Sequence, residues 1–138
     1  KKVAVRAMLP EDLPAVYQLD SQAFEFEWVN SANALALAYQ QSSIATVVEQ
    51  AGTLIGYQIS TISMAGGHLA RLAVHPDVRN QGIVYALVDH LLQEMQQRGI
   101  EQLTVNTQED NFASLALYAR AGFMQIEEQY QVYQYFLK

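Results

Sequence analysis

The chain has 138 residues, 51% of them apolar and 16% charged, with eight Tyr and five Phe. That balance excludes intrinsic disorder and fits one folded domain over residues 1–138. Fourteen acids against eight bases give a net charge of −6, and the body between the terminal lysines holds only Arg6, Arg71, Arg79, Arg98 and Arg120. Five scattered arginines make no nucleic-acid surface. The absence of cysteine removes disulfides, thiolate nucleophiles and cysteine metal sites. No apolar run approaches the length of a membrane span, and the start Lys1-Lys2-Val3-Ala4-Val5-Arg6 has no leader-like apolar stretch. The expectation is a cytoplasmic protein without nucleic-acid or membrane partners. It opens on Lys1 and not on Met, as a chain trimmed from something longer does.

Alternation at Val3 and Val5 predicts a first strand. Pro10, with Glu11 and Asp12 behind it, predicts a helix start, and Leu13, Val16, Tyr17 and Leu19 its apolar side up to Phe24. Asn30 or Ser31 suits the cap of a second helix through Leu35, Leu37 and Tyr39. Ile44–Glu49 and Leu54–Met64 read as strands joined at Ala51-Gly52-Thr53. Gly66-Gly67 predicts a turn into a further strand, His68–Val74, that Pro76 stops.

From Gly82 the apolar period changes from two to 3.6, with Val84, Leu87, Val88, Leu91, Leu92 and Met95 on one face of a long helix. Gly99 is its expected C-terminal glycine. A short strand at Leu103-Thr104-Val105 follows, then a helix capped by Asp110 or Asn111 and ended by Gly122. Phe123–Leu137 returns to strand, with a turn at Glu127-Glu128-Gln129. The order β-α-α-β-β-β-α-β-α-β(β) predicts an α/β fold, a mixed sheet flanked by helices.

Leu72-Ala73-Val74-His75-Pro76-Asp77-Val78-Arg79-Asn80-Gln81-Gly82-Ile83 carries the chemistry. A strand ends at a proline, a polar loop follows, and a glycine stands where the long helix begins. The first turn of a helix leaves N–H groups unpaired and carries partial positive charge, a setting for anions. Gly82 lets a ligand approach the backbone, and Arg79 adds a formal charge. An ordinary β–α loop with an exposed arginine is the competing reading.

Arg79-Asn80-Gln81-Gly82-Ile83-Val84 resembles the acetyl-CoA loop Q/R-x-x-G-x-G/A of the GNAT family, the Gcn5-related N-acetyltransferases. Asn111 to Phe123, about 30 residues on, resembles that family's N-x-x-A/S-x-x-L-Y-x-x-x-G-F segment. In motif the chain is nearest to the ribosomal-protein-alanine N-acetyltransferase-like branch. The resemblance implies a GNAT fold and transfer of acetyl from acetyl-CoA, the co-substrate, to a primary amine by direct attack in a ternary complex, without a metal. It implies that backbone N–H groups of Gln81, Gly82, Ile83, Val84 and Tyr85 hold the pyrophosphate. Backbone of Leu72 and Val74 would pair with the pantetheine arm, and Asn111 would lie near that arm. Tyr118 would be catalytic, its hydroxyl aimed at the sulfur, where a phenol of pKa near 10 serves a departing thiolate. A core aromatic is the alternative for Tyr118.

Two positions depart from the pattern. Val84 stands where the family prefers Gly or Ala, and it either crowds the phosphates or points into the core with Leu87 and Val88. Asn106 occupies the position at which the branch has a basic glutamate, and an amide takes no proton. These departures motivate a second reading, a GNAT-fold module that binds CoA or another ligand without turnover. Glu25 and Glu27, among Phe24, Phe26 and Trp28, lie where family members often build the acceptor site. Glu25, Glu27 and Trp28 would suit a cationic amine, either a small molecule or a protein N-terminus; a solvated loop with its aromatics packed inward is the other reading. His68, His75 and His90 have no metal-ligand spacing, and Glu109 and Asp110 read as helix capping.

Overall fold

A computed structural model describes residues 3–23, 32–78, 81–106, 124–127 and 132–136. The described elements are β1 (Val5–Ala7), α1 (Leu13–Ala23), α2 (Ala32–Gln41), β2 (Ile44–Gln50), β3 (Thr53–Ser63), β4 (Gly66–Val74), α3 (Ile83–Gln97), β5 (Gln102–Asn106), β6 (Met124–Glu127) and β7 (Val132–Phe136). The strands form one seven-stranded sheet in the order β1-β2-β3-β4-β5-β7-β6. Among the described strands only β4 and β5 pair in parallel, through α3, and the other pairings are antiparallel. The mixed α/β architecture expected from the sequence is present. The helix expected after Asn111, with its caps, lies outside the described residues; of the turn expected at Glu127-Glu128-Gln129, Glu127 closes β6 as a strand residue and the other two lie outside them.

Local differences have local causes. Val3 precedes the first strand, which pairs only from Val5 to Ala7. Pro10 opens a single 3-10 turn, Pro10–Asp12, before the α-helix proper. The Gly66-Gly67 pair does not form the turn between β3 and β4: both glycines pair with β3, and the chain reverses at Met64-Ala65. Gly67 is there for space, since a Cβ would come within 2.8 Å of the Met95 side chain. Tyr17 and Leu37, assigned to apolar stripes, are exposed. Val16 and Leu19 are the residues of α1 that enter the core, and Tyr17 lies about 100° from Val16 around the helix.

The sheet separates two apolar layers. Val16, Leu19 and Leu35 from α1 and α2 pack with Val47, Tyr57, Ile59 and Ala73 on one face. On the other, Leu87, Val88, Leu91 and Met95 of α3 pack against Leu69, Val74, Leu103 and Val105. The 3.6-residue period of α3 buries Leu87, Val88, Leu91 and Met95 as expected and Ile83 as well, while Val84 and Leu92 are only partly buried. Among the described residues, no helix is long and apolar enough to cross a membrane.

Candidate active site

The site begins with a change in β4. Along its length β4 pairs with β3, but it pairs with β5 only at Gly67↔Leu103, His68↔Thr104 and Leu69↔Val105. Immediately after Leu69 the register against β3 shifts: Ser60 faces Leu69, Ile59 faces Arg71, and Ala70 is the extra residue of a β-bulge. Such a bulge bends and twists its strand. On its other side β5 pairs with β7 along its whole length, from Gln102↔Phe136 to Asn106↔Val132. Residues Ala70–Val74 thus continue with no ladder partner on that side among the described residues.

Backbone phase decides which groups face this parting. His75 N–H donates to Ile55 O across β3 at 2.8 Å. Strand alternation then points Ala73 toward β3, and Leu72 and Val74 toward the open side. Their N–H and C=O groups form a short edge to which an extended, amide-bearing chain can add as a strand does.

The open edge leads into the start of α3. After one 3-10 turn, Pro76–Val78, the Gln81 N–H bonds to Val78 O at 3.3 Å. Gly82 then caps α3 with φ 78 and ψ 13, without a side-chain cap. Space for a Cβ is open there, so the need for glycine is conformational: the left-handed region is costly for other residues. Ala86 N–H makes the first bond back, to Gly82 O at 3.1 Å. The N–H groups of Ile83, Val84 and Tyr85 therefore precede the intrahelical ladder and are available to an anion. Val84 is partly buried against the apolar clusters, which answers the question its side chain posed: it packs inward. Gly56 permits this approach, because a Cβ there would lie 2.8 Å from Ile83 Cγ2.

Of the residues singled out in the sequence, Leu72, Val74, Gln81, Gly82, Ile83, Val84 and Tyr85 lie along this edge and helix start, although the Gln81 N–H, expected to face the pyrophosphate, is taken up by Val78 O. Arg79, Asn111, Tyr118, Glu25, Glu27 and Trp28 lie outside the described residues. Asn106 closes β5 at the parting. His68 sets its Nδ1 2.8 Å from Thr104 Oγ1, and burial pushes its pKa below the usual histidine value. His75 Nδ1 accepts the Asp77 N–H at 3.1 Å, an ordinary loop contact. No cluster of three potential metal ligands exists among the described residues.

One group of residues escaped the sequence reading. On the α1 face, beside the bulge, Asp20 is fully buried and grips Arg71: Nε to Oδ1 and Nη2 to Oδ2, each 3.0 Å. Tyr57 donates its hydroxyl to the same Oδ1 at 2.5 Å. Burial, then the charge of Asp20, pushes the Tyr57 hydroxyl far above the ordinary tyrosine value, so it keeps its proton as donor. The available signal was slight: Asp20 falls four residues after Val16, on the stripe that otherwise reads apolar.

Among the described residues, a strand edge without a ladder partner runs into a helix start without a side-chain cap, an arrangement able to hold an extended anionic ligand. The sequence model of the acetyltransferase (GNAT) family matches residues 13–123, and the chain belongs to that family. It is 31% identical over 112 residues to the [ribosomal protein bS18]-alanine N-acetyltransferase of Escherichia coli (strain K12), covering 81% of this chain and 74% of the relative. The fold is similar to the crystal structure of the ribosomal-protein-S18-alanine N-acetyltransferase from Escherichia coli, with TM-score 0.88, 23% identity and 99% and 95% of the two chains covered. It is also similar to PaiA N-acetyltransferase from Thermoplasma acidophilum in complex with coenzyme A, with TM-score 0.84, 16% identity and 99% of each chain covered.

Proposed function

We propose that the chain transfers the acetyl group of acetyl-CoA to the α-amine of a protein N-terminus, with alanine as first residue. The observation that carries the donor assignment is the edge at Leu72 and Val74, without a ladder partner among the described residues, together with the N–H groups of Ile83, Val84 and Tyr85 at the start of α3. The pantetheine arm pairs along that edge, Asn111 beside it, and the pyrophosphate takes the helix start with Gln81, Gly82 and Arg79. This puts the acyl end near Ala70, where the strands part. The acceptor assignment rests on the bS18-alanine relative.

Both substrates bind together, and the amine nitrogen attacks the thioester carbon. A C–N bond forms, the C–S bond breaks, and the sulfur takes a proton from the Tyr118 hydroxyl; the former amine releases one proton to water, and the Tyr118 phenolate regains one from water, which closes the cycle. An α-amine has a pKa of about 8 and is partly neutral near pH 7.5, so asparagine at position 106 does not stop the reaction. Alignment of the two reactants supplies much of the acceleration. Glu25, Glu27 and Trp28 line the acceptor side, in keeping with a net charge of −6 and a cationic amine. A cytoplasmic location goes with this reading, since acetyl-CoA and new protein N-termini meet there.

Thiol release from acetyl-CoA with an alanine-initiated hexapeptide, a peptide carrying only a lysine amine, and spermidine tests the assignment. Fastest turnover is expected with the alanine peptide. Binding of CoA by calorimetry with no thiol release from any of the three would leave the binding-only reading standing. Tyr118→Phe is expected to lower kcat by about 10²-fold or more with the Kd for CoA within two-fold; unchanged kcat removes Tyr118 from the mechanism.

A further inference from the structure

We infer that Asp20, Arg71 and Tyr57 form a positioning triad that sets the acceptor side of the cleft, fixing the last turns of α1 against β4 where the acyl end lies. The inference rests on reading the β4–β5 parting as the acyl-donor cleft. Three observations converge on it.

The first is placement. Arg71 directly follows the bulge residue Ala70. In a regular strand Arg71 would share the face of Leu69, which packs on α3. The extra residue moves Arg71 to the opposite face, where Ile59 is its cross-strand neighbour and Ala73 packs with Val16 and Leu19. One bulge thus opens the sheet edge and delivers Arg71 to α1.

The second is geometry. A carboxylate at 0% exposure accepts two parallel bonds from a guanidinium that is 19% exposed, and a third from a phenol on the neighbouring strand. Bidentate, charge-assisted bonds define position and angle closely. The three bonds join α1, β3 and β4 at one point.

The third is energetic. A buried ion pair is a poor source of net stability, because apolar residues of similar volume serve as well or better. Its presence beside the cleft is accounted for if it supplies geometry and charge. Asp20 neutralises Arg71, so an incoming ammonium group meets no uncompensated cation on this wall.

The test compares Asp20→Asn, the paired variant Asp20→Leu with Arg71→Met, and Tyr57→Phe, in steady-state assays with acetyl-CoA and the most active of the three acceptors above. Asp20→Asn is expected to raise acceptor KM by ten-fold or more, partly reversed by salt, with the Kd for CoA within two-fold. The paired variant is expected to melt near the wild type yet keep the raised acceptor KM, a split that a purely structural pair would not produce. Tyr57→Phe is expected to raise acceptor KM about three-fold, and it decides the matter if the other variants do not fold. Acceptor KM within two-fold of wild type in any folded variant that lacks Asp20, or in Tyr57→Phe, overturns the triad. Wild-type protein that releases no thiol overturns the functional reading instead.

Discussion

On the α3 face, Leu87, Leu91 and Met95 meet Leu69, Leu103 and Val105, and the buried polar groups that share this side of the sheet are neutral. Gln58 donates to Thr46 Oγ1 at 3.1 Å and accepts from Ser60 Oγ at 2.6 Å. On the α1 face the contact includes a carboxylate fully withdrawn from water, held by a guanidinium and a phenol. Apolar packing tolerates small sliding and volume-conserving change. Directed ionic bonds do not. The helix whose N-terminus we propose for the diphosphate is therefore fixed by area, and the helix that we place beside the reacting end is fixed by angle.

The largest stability effects should separate these two kinds of attachment. Asp20→Asn leaves the half-buried Arg71 without its ion pair and is expected to cost about 3–5 kcal/mol in urea unfolding at pH 7. The paired Asp20→Leu and Arg71→Met variant should recover most of that loss. Leu91, at 0% exposure, offers the contrast: Leu91→Ala should cost about 2–5 kcal/mol, with no second substitution able to restore it by charge balance alone. Equal recovery in both cases would erase the distinction.

A smaller effect is expected at Gly82. Its φ of 78 makes Gly82→Ala cost about 1–2 kcal/mol, and turning the first N–H groups of α3 should raise the Kd for CoA at least ten-fold by calorimetry. Unchanged affinity would detach this helix start from the donor.

The smallest effect belongs to Arg6, whose exposed guanidinium bonds two carboxylates at the far end of α1. Arg6 bonds Asp12 at 2.9 Å and Glu49 at 3.0 Å, itself 41% exposed, so Arg6→Ala should cost no more than about 1 kcal/mol. The hydrogen bond from Arg6 holds the Asp12 carboxyl below its usual value of 3.8. A carboxylate with a depressed folded pKa contributes fully above its unfolded value and loses that contribution as pH falls through the folded one. Stability should thus decline below about pH 4, with a shallower slope in Arg6→Ala; identical acid profiles would remove Asp12 from the acid response.

The sequence was most legible where one local rule acts alone. The stripe Leu87, Leu91, Met95 marks a helix with one buried face. Ala51 and Gly52, with φ of 52 and 80, form the short turn their spacing predicts. Gly82 marks the start of α3 as expected, though the conformational need for it, a left-handed backbone, is a finding of the structure. The reading lost accuracy where two elements compete: Gly66 and Gly67 look like a turn, yet they are strand residues made small by Gln102 and Met95 packed against them. Tyr17 looks like core, and Asp20 takes the interior place because a partner waits on β4.

By itself, the sequence determined the class of fold, the layered packing, the start of α3 at Gly82 and the family. These follow from periodicity, glycine placement and two spaced motifs, all readable along the chain. Tertiary structure alone decided that β4 loses its β5 partner after Leu69, that a single extra residue at Ala70 moves Arg71 to the other face, and that Asp20 reaches it across 51 positions of chain. Bulges and ion pairs of this kind arise from register between distant strands and helices, a quantity that no local pattern of residues encodes.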